Sequence, residues 1–310
     1  MALAPPRSRS RGSPVLAAAL AVPPAAPRPG AGSLDPLRPH APRSAAVPRT
    51  AGRELPLALL RHPTRRARST EAGRIVSTVE PRLDDLLREL RSLAREGAVE
   101  GMARYGIRSA DVIGVAAPDL RRIARRLGTD DALARALWAT GIHDARVLAT
   151  MLADPARTTP ARALRWAKDL DNWAVCDALC LCLLVRLPFA HELSGDWAQR
   201  PEEFVRRASF SLLACLAVHD EESGDEPFRE GLARAEAAAS DGRTAVRKAV
   251  NWALRQIGKR NPALNAAAVA AARRIREQGT PTARWIASDA LRELTSDAVA
   301  QRLARRHERA

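Results

Sequence analysis

The strongest constraint on this chain is a rhythm. From about residue 78 it runs as short amphipathic segments, each about 10–17 residues long, separated by glycine and proline. The first is PRLDDLLRELRSLAREG, in which Leu83, Leu86, Leu87 and Leu90 recur at helical spacing. Breaks follow at Gly106, Gly114 to Pro118, Gly128, Gly141, Pro155 to Pro160, Asp171, Pro188, Pro201, Gly224 to Pro227, Gly242, Pro262 and Pro281. Several breaks carry a proline, which the first turn of a following helix tolerates because its missing N–H would have no partner there. No segment alternates in the period of two that a half-buried strand requires. Paired short helices repeating at about 35–45 residues cannot bury their apolar faces alone and must stack, which predicts an all-α fold, an α-solenoid of HEAT-like antiparallel helix pairs. Such a stack curves and offers a concave face, suited to a protein partner or to a nucleic acid.

The rhythm sets the domain boundary. Residues 1–75 are rich in Pro, Ala and Arg and show no apolar period, so they are expected to form a disordered leader, or to reflect a start placed too far upstream, with the folded domain at 76–310. The formal charge of +15 must be divided at that boundary. Residues 1–75 hold 13 Arg and 3 acidic residues, while the remainder holds 37 basic and 32 acidic, a net of +5. Overall basicity therefore says little about the folded part. No stretch approaches the ~20 apolar residues of a membrane span, and the apolar run Val15 to Val22 is short and followed by Pro-rich sequence. Cys176, Cys180 and Cys182 lie in one apolar helical segment, and with Cys215 they read as small buried hydrophobes in a reducing compartment. No His or second Cys pair stands at ligand spacing, so no metal site is expected.

Four segments carry residues with chemistry. In VRKAVNWALRQIGKR (246–260), Val250, Ala253, Leu254 and Ile257 form a core stripe, while Lys248, Trp252, Arg255 and Lys259 share another face. Three cations around an indole suit a nucleic-acid backbone, with the ring offered to a sugar or base; a half-buried core Trp among solvated neighbours fits the pattern equally. In DNWAVCDALCLCLL (171–184), Asp171 or Asn172 can cap a helix that is almost wholly apolar beyond it. Asp177 is the exception and shares a face with Trp173; a carboxylate there costs free energy unless it is paired or has a task. In PEEFVRRASFSLLACLAVHD (201–220), Glu203, Arg207 and Ser211 share a polar face, although the helical wheel does not choose between Arg206 and Arg207. His143, in GIHDAR, is expected to cap or to hydrogen-bond between helices.

Taken together, these pieces resemble the HEAT-repeat alkylpurine DNA glycosylases, the AlkD-like DNA alkylation repair family. The resemblance lies in MARYGIRSADVIGVAAPDLRR (102–122), LWATGIHDAR (137–146), DNWAVCD (171–177), FVRRASF (204–210) and KAVNWALRQIGKRNP (248–262), in the family's order. It implies a concave DNA-binding face with Trp173, Asp177, Arg207 and Trp252 at the catalytic cleft, Arg207 holding a backbone phosphate, Tyr105 lining the lesion-facing surface, and Lys248, Arg255 and Lys259 contacting DNA. It further implies hydrolysis of the N-glycosidic bond of positively charged N3- or N7-alkylpurines in double-stranded DNA, with no metal and no redox cofactor, in the cytoplasm at the nucleoid. Two other expectations stand beside it: a non-catalytic HEAT-repeat protein that binds damaged or branched DNA, and a HEAT scaffold for a protein partner. A monomer is expected because no surplus amphipathic helix suggests a dimer seam. The leader and the loop EESGDEP after Asp220 depart from the family pattern.

Overall fold

A computed structural model describes residues 65–307 except residue 108, with side chains described from 79 to 305. Among these residues there are fourteen α-helices and no strand beyond one isolated bridge, Ala94 with Val115. In order they are α1 (Arg65–Ser92), α2 (Ala98–Arg104), α3 (Ala117–Leu127), α4 (Asp131–Ala139), α5 (His143–Leu152), α6 (Pro160–Lys168), α7 (Trp173–Cys182), α8 (Ala190–Trp197), α9 (Glu203–His219), α10 (Glu226–Ala237), α11 (Thr244–Ile257), α12 (Pro262–Glu277), α13 (Pro281–Leu294) and α14 (Asp297–His307).

The helices start where local chemistry dictates. Thr159-Pro160, Asn261-Pro262 and Thr280-Pro281 each place a capping oxygen before a proline at the first helical position, and each cap accepts a backbone N–H of the first turn. Every break expected from the sequence falls between helices or on a first turn. The beginning of α1 differs. It starts at Arg65, ahead of the expected boundary, because Arg, Ala and Glu favour helix without leaving the apolar period by which a helix is read. The leader expectation for residues 1–64 lies outside the described residues.

Sequence-adjacent helices pair as α4 with α5, α8 with α9, α10 with α11 and α12 with α13. Alternate helices then align in rows: α3, α5, α7, α9, α11 and α13 form a front row, and α8, α10 and α12 part of a back row. Polar links between rows' successive members recur at one sequence separation of 38 residues. Arg207 Nη1 donates to Ala245 O (2.8 Å), Asn251 to Asp289 (2.7 Å), Ser240 to Gln278 (2.8 Å) and Arg274 to Glu236 (2.8 Å). This is the repeat length of the C-terminal half of the stack written in hydrogen bonds, within the range expected from the sequence; the links from Arg207 and Ser211 back to Asp177 span 30 and 34 residues. Small residues let the layers approach closely: a Cβ on Gly231 of α10 would lie 2.8 Å from Leu213 Cδ2 of α9.

The tryptophans divide by role. Trp138, Trp166 and Trp197 are buried in the core, and the first two stack in parallel with centroids 4.2 Å apart. Arg146 and Arg162 cover the outer faces of that stack, so half of the Trp content serves packing. All four cysteines are free and buried, as expected. Burial pushes the Cys182 thiol up to about 11 and raises Cys180 and Cys215 as well, which leaves these thiols unreactive. Among the described residues no helix is long and apolar enough to cross a membrane, and no group of His, Cys, Asp and Glu could hold a metal ion.

Candidate functional site

The middle of the front row holds the one carboxylate of α7. Asp177 rises from an otherwise apolar helix and retains 16% side-chain exposure. Its Oδ1 accepts two hydrogen bonds from α9, from Arg207 Nη2 at 2.7 Å and from Ser211 Oγ at 3.0 Å. None of the described residues donates to Oδ2. The carboxylate is thus held by one oxygen and offers the other.

Arg207 is the clamp. Its side chain is 5% exposed, and while Nη2 binds Asp177, Nη1 binds the Ala245 carbonyl at the start of α11, so one guanidinium joins three consecutive front helices. Burial alone would lower its pKa, yet the Asp177 charge and nearby thiols leave it above its ordinary value. The phosphate contact expected for Arg207 does not fit this geometry, because its side chain is buried and its two terminal nitrogens are committed to Asp177 and the Ala245 carbonyl. Arg206, which the wheel could not separate from it, instead pairs with Asp241 at 3.3 Å. Ser211 joins the site unexpectedly; the sequence signal for it is its place one turn after Arg207 on the same polar face.

Trp173 opens α7, one turn before Asp177, and is half-buried. Asn172, not Asp171, caps this helix, its Oδ1 accepting from Ala174 N and Val175 N, while its amide reaches Ser109 Oγ (2.8 Å) and His143 Nδ1 (3.3 Å). His143 is buried and makes the interhelical contact expected of it, and burial holds its pKa below the ordinary value. The Trp173 indole donates to the carbonyl of Tyr105 (2.9 Å), a residue that is 72% exposed. The loop that follows Tyr105 is strapped by Asp144, whose two oxygens accept from the amides of Ile113, Gly114 and Val115 at 2.7–3.1 Å. Gly114 sits at φ 87°, where a Cβ would lie 2.9 Å from Ala98 Cβ, so the turn needs glycine. The Tyr105 backbone is thereby held against the first turn of the carboxylate helix.

Farther along the row, Trp252 of α11 is half-buried against the core. Helical spacing puts it about 100° around α11 from Asn251, which meets Asp289 of α13. Among the described residues, no hydrogen bond joins Trp252 to Asp177. The cationic stripe splits. Lys248 is exposed and forms no ion pair with a described residue. Arg255 instead pairs with Glu293 and, at 3.7 Å, with Asp289, and Lys259 Nζ lies 2.5 Å from Glu293. Burial would raise the Glu293 carboxyl, but Lys259 and Arg255 hold it below the usual carboxylate range. The expectation of three solvent-facing cations thus holds for Lys248 alone, because α13 brings acids across Arg255 and Lys259, which a wheel of α11 cannot show.

A family model described as "DNA alkylation repair enzyme" matches residues 86–294, a span that contains every residue of the site. A solved structure described as "A new family of proteins related to the HEAT-like repeat DNA glycosylases with affinity for branched DNA structures" is similar at a TM-score of 0.57 and 22% sequence identity, covering 62% of this chain and 82% of that one. At that identity the likeness shows the fold. No curated protein matches the chain.

Proposed function

The chain belongs to the DNA alkylation repair enzyme family, and on that premise we propose that it hydrolyses the N-glycosidic bond of positively charged N3- and N7-alkylpurines in double-stranded DNA. The observation that carries the reading is the Asp177 carboxylate, gripped at Oδ1 by Arg207 and Ser211 and left with Oδ2 to spend outside the protein. An alkylated purine bears a formal positive charge and leaves as a neutral base, taking the bonding pair with it. Positive charge then develops on the deoxyribose at C1′. A fixed carboxylate stabilises that charge without reorganising, and Oδ2 orients the water whose oxygen bonds C1′, accepts the proton that this water loses and passes it to solvent. Trp173 and Trp252 flank the sugar and favour a cationic lesion through their π faces. Tyr105 lines the lesion side, and Lys248 meets backbone phosphate. Arg207 is a positioning residue, acting through Asp177.

The test is release of 7-methylguanine and 3-methyladenine from methylated duplex by the wild type beside Asp177→Asn. Release that falls by about 10²-fold or more in a variant that still binds DNA supports the assignment. Release unchanged by the substitution removes Asp177 from the reaction. A second reading is favoured by the close Asp177–Arg207 pair: a carboxylate that serves only to neutralise a buried arginine would suit a non-catalytic protein that binds damaged or branched DNA, affinity for branched DNA being what is described for the structural neighbour. DNA binding without turnover by the wild type would select it.

A further inference from the structure

The α11–α13 contact is a ladder of three rungs one helical turn apart. Arg247, Asn251 and Arg255 face Trp285, Asp289 and Glu293, each pair 38 residues apart. Two rungs follow the logic of a structural seam, a donor set against an acid. The first does not. Where an acid would neutralise Arg247, the chain has Trp285, whose ring centroid lies 4.8 Å from the guanidinium carbon. The Arg247 side chain makes no hydrogen bond or ion pair with a described residue, and its Nε is buried. Lys248 and Arg284, both exposed, also form no ion pair with a described residue. Trp285 is 39% exposed and, with Tyr105, is one of two exposed aromatics among the described residues.

An indole with a cation on one face and unneutralised positive charge around it is a site for a flat, electron-rich ring attached to an anion. We propose that Trp285 is a stacking platform for an unstacked base of bound DNA, backed by Arg247, with Lys248 and Arg284 holding the adjoining phosphates. An intact duplex hides its base faces within its own stack, so the platform serves a single-stranded flap or branch next to the duplex. Three interhelix steps of about 8–10 Å separate α7 from α13. For a duplex lying along the row, the unpaired base falls about seven to nine base pairs from the nucleotide at Asp177, at about 3.4 Å per pair. The inference rests on the reading of the front row as a DNA-binding face and adds to it a preference for branched substrates.

The experiment uses the full chain and two fluorescent probes, a plain duplex and the same duplex with a short single-stranded flap whose first unpaired base is 2-aminopurine. The wild type is expected to bind the flap probe more tightly and to quench 2-aminopurine as it stacks. Trp285→Ala should abolish the quenching and weaken flap binding by about 5- to 150-fold, the range of one base–aromatic stack, while duplex affinity changes less than about threefold. Trp285→Phe should keep most of both signals. Thermal melting checks that the surface substitution leaves the fold intact. Wild-type quenching and affinity in Trp285→Ala overturn the proposal, as does equal loss on both probes. If the wild type binds both probes alike and still excises alkylpurines through Asp177, the functional reading stands and this inference fails. If it binds neither probe, both fail.

Discussion

Replacing Asp177 by Asn does more than remove a charge from the site. Arg207 is 5% exposed and its nearest anion is Asp177, so the substitution leaves a buried cation without a counter-charge. Removing one partner of a fully buried pair costs about 3–5 kcal/mol. Two features reduce that here. The Asp177 side chain is 16% exposed, and Arg207 keeps the Ala245 carbonyl at 2.8 Å together with the neutral amide oxygen that Asn would present. We expect a loss of about 2 kcal/mol, which for a folded unit of this size lowers Tm by about 4–8 °C. Excision must therefore be compared at a temperature where the variant is folded. The decisive partner is Asp177→Asn combined with Arg207→Met, which removes both charges and should recover most of the lost Tm while leaving excision as low as in the single variant. Differential scanning fluorimetry and base release on the four members of this cycle separate the carboxylate's two tasks. A single variant that melts within 1 °C of the wild type, by differential scanning fluorimetry with about that precision, would refute the dependence of Arg207 on Asp177. A double variant that regains excision along with stability would show that the carboxylate acts only as a counter-ion.

Three further outcomes are expected. Lys248→Ala should weaken duplex binding and lower the slope of log affinity against log salt by about 1, whereas Arg255→Ala, already neutralised by Glu293 and Asp289, should lower Tm and leave that slope nearly unchanged; fluorescence anisotropy across a salt series distinguishes them. Gly114→Ala places a Cβ against Ala98 at a positive φ, so it should destabilise by about 1–3 kcal/mol in a urea melt and raise hydrogen exchange in the loop after Tyr105; a neutral melt would sink that account of the turn. Burial lowers the His143 pKa below its ordinary 6.5, so the unfolded chain binds the extra proton first and stability is lost as pH falls below about 6.5. His143→Asn should flatten that part of the wild-type stability–pH curve, and an unchanged slope would assign the acid sensitivity elsewhere.

Helix boundaries are legible in this sequence because the signals that set them are local. A threonine or asparagine before a proline caps a helix whatever packs beside it, and the same holds for Asn172 ahead of Trp173. Asp177 is legible because it is a lone carboxylate among apolar neighbours. What lies between helices is not. The wheel of α9 shows that Arg207 and Ser211 share a face but not that this face meets Asp177, and the wheel of α11 shows Arg255 and Lys259 as exposed until α13 brings Glu293 across. The start of α1 is hidden for a different reason, since good helix formers without an apolar stripe resemble a tail in composition.

The constant separation of 38 residues across the α11–α13 seam makes this end of the molecule sensitive to chain length more than to residue identity. The two helices mesh like racks cut to one pitch. A single residue inserted in α13 between Trp285 and Asp289 would turn everything beyond it by about 100° around the helix axis. Asp289 and Glu293 would leave α11 together, and Arg255 and Lys259 would lose their acids in one step. The two cations now paired would then join Arg247 in a cationic strip, so the simplest route to stronger, less discriminating attraction for polyanions in this chain is a change of count, with no substitution at all.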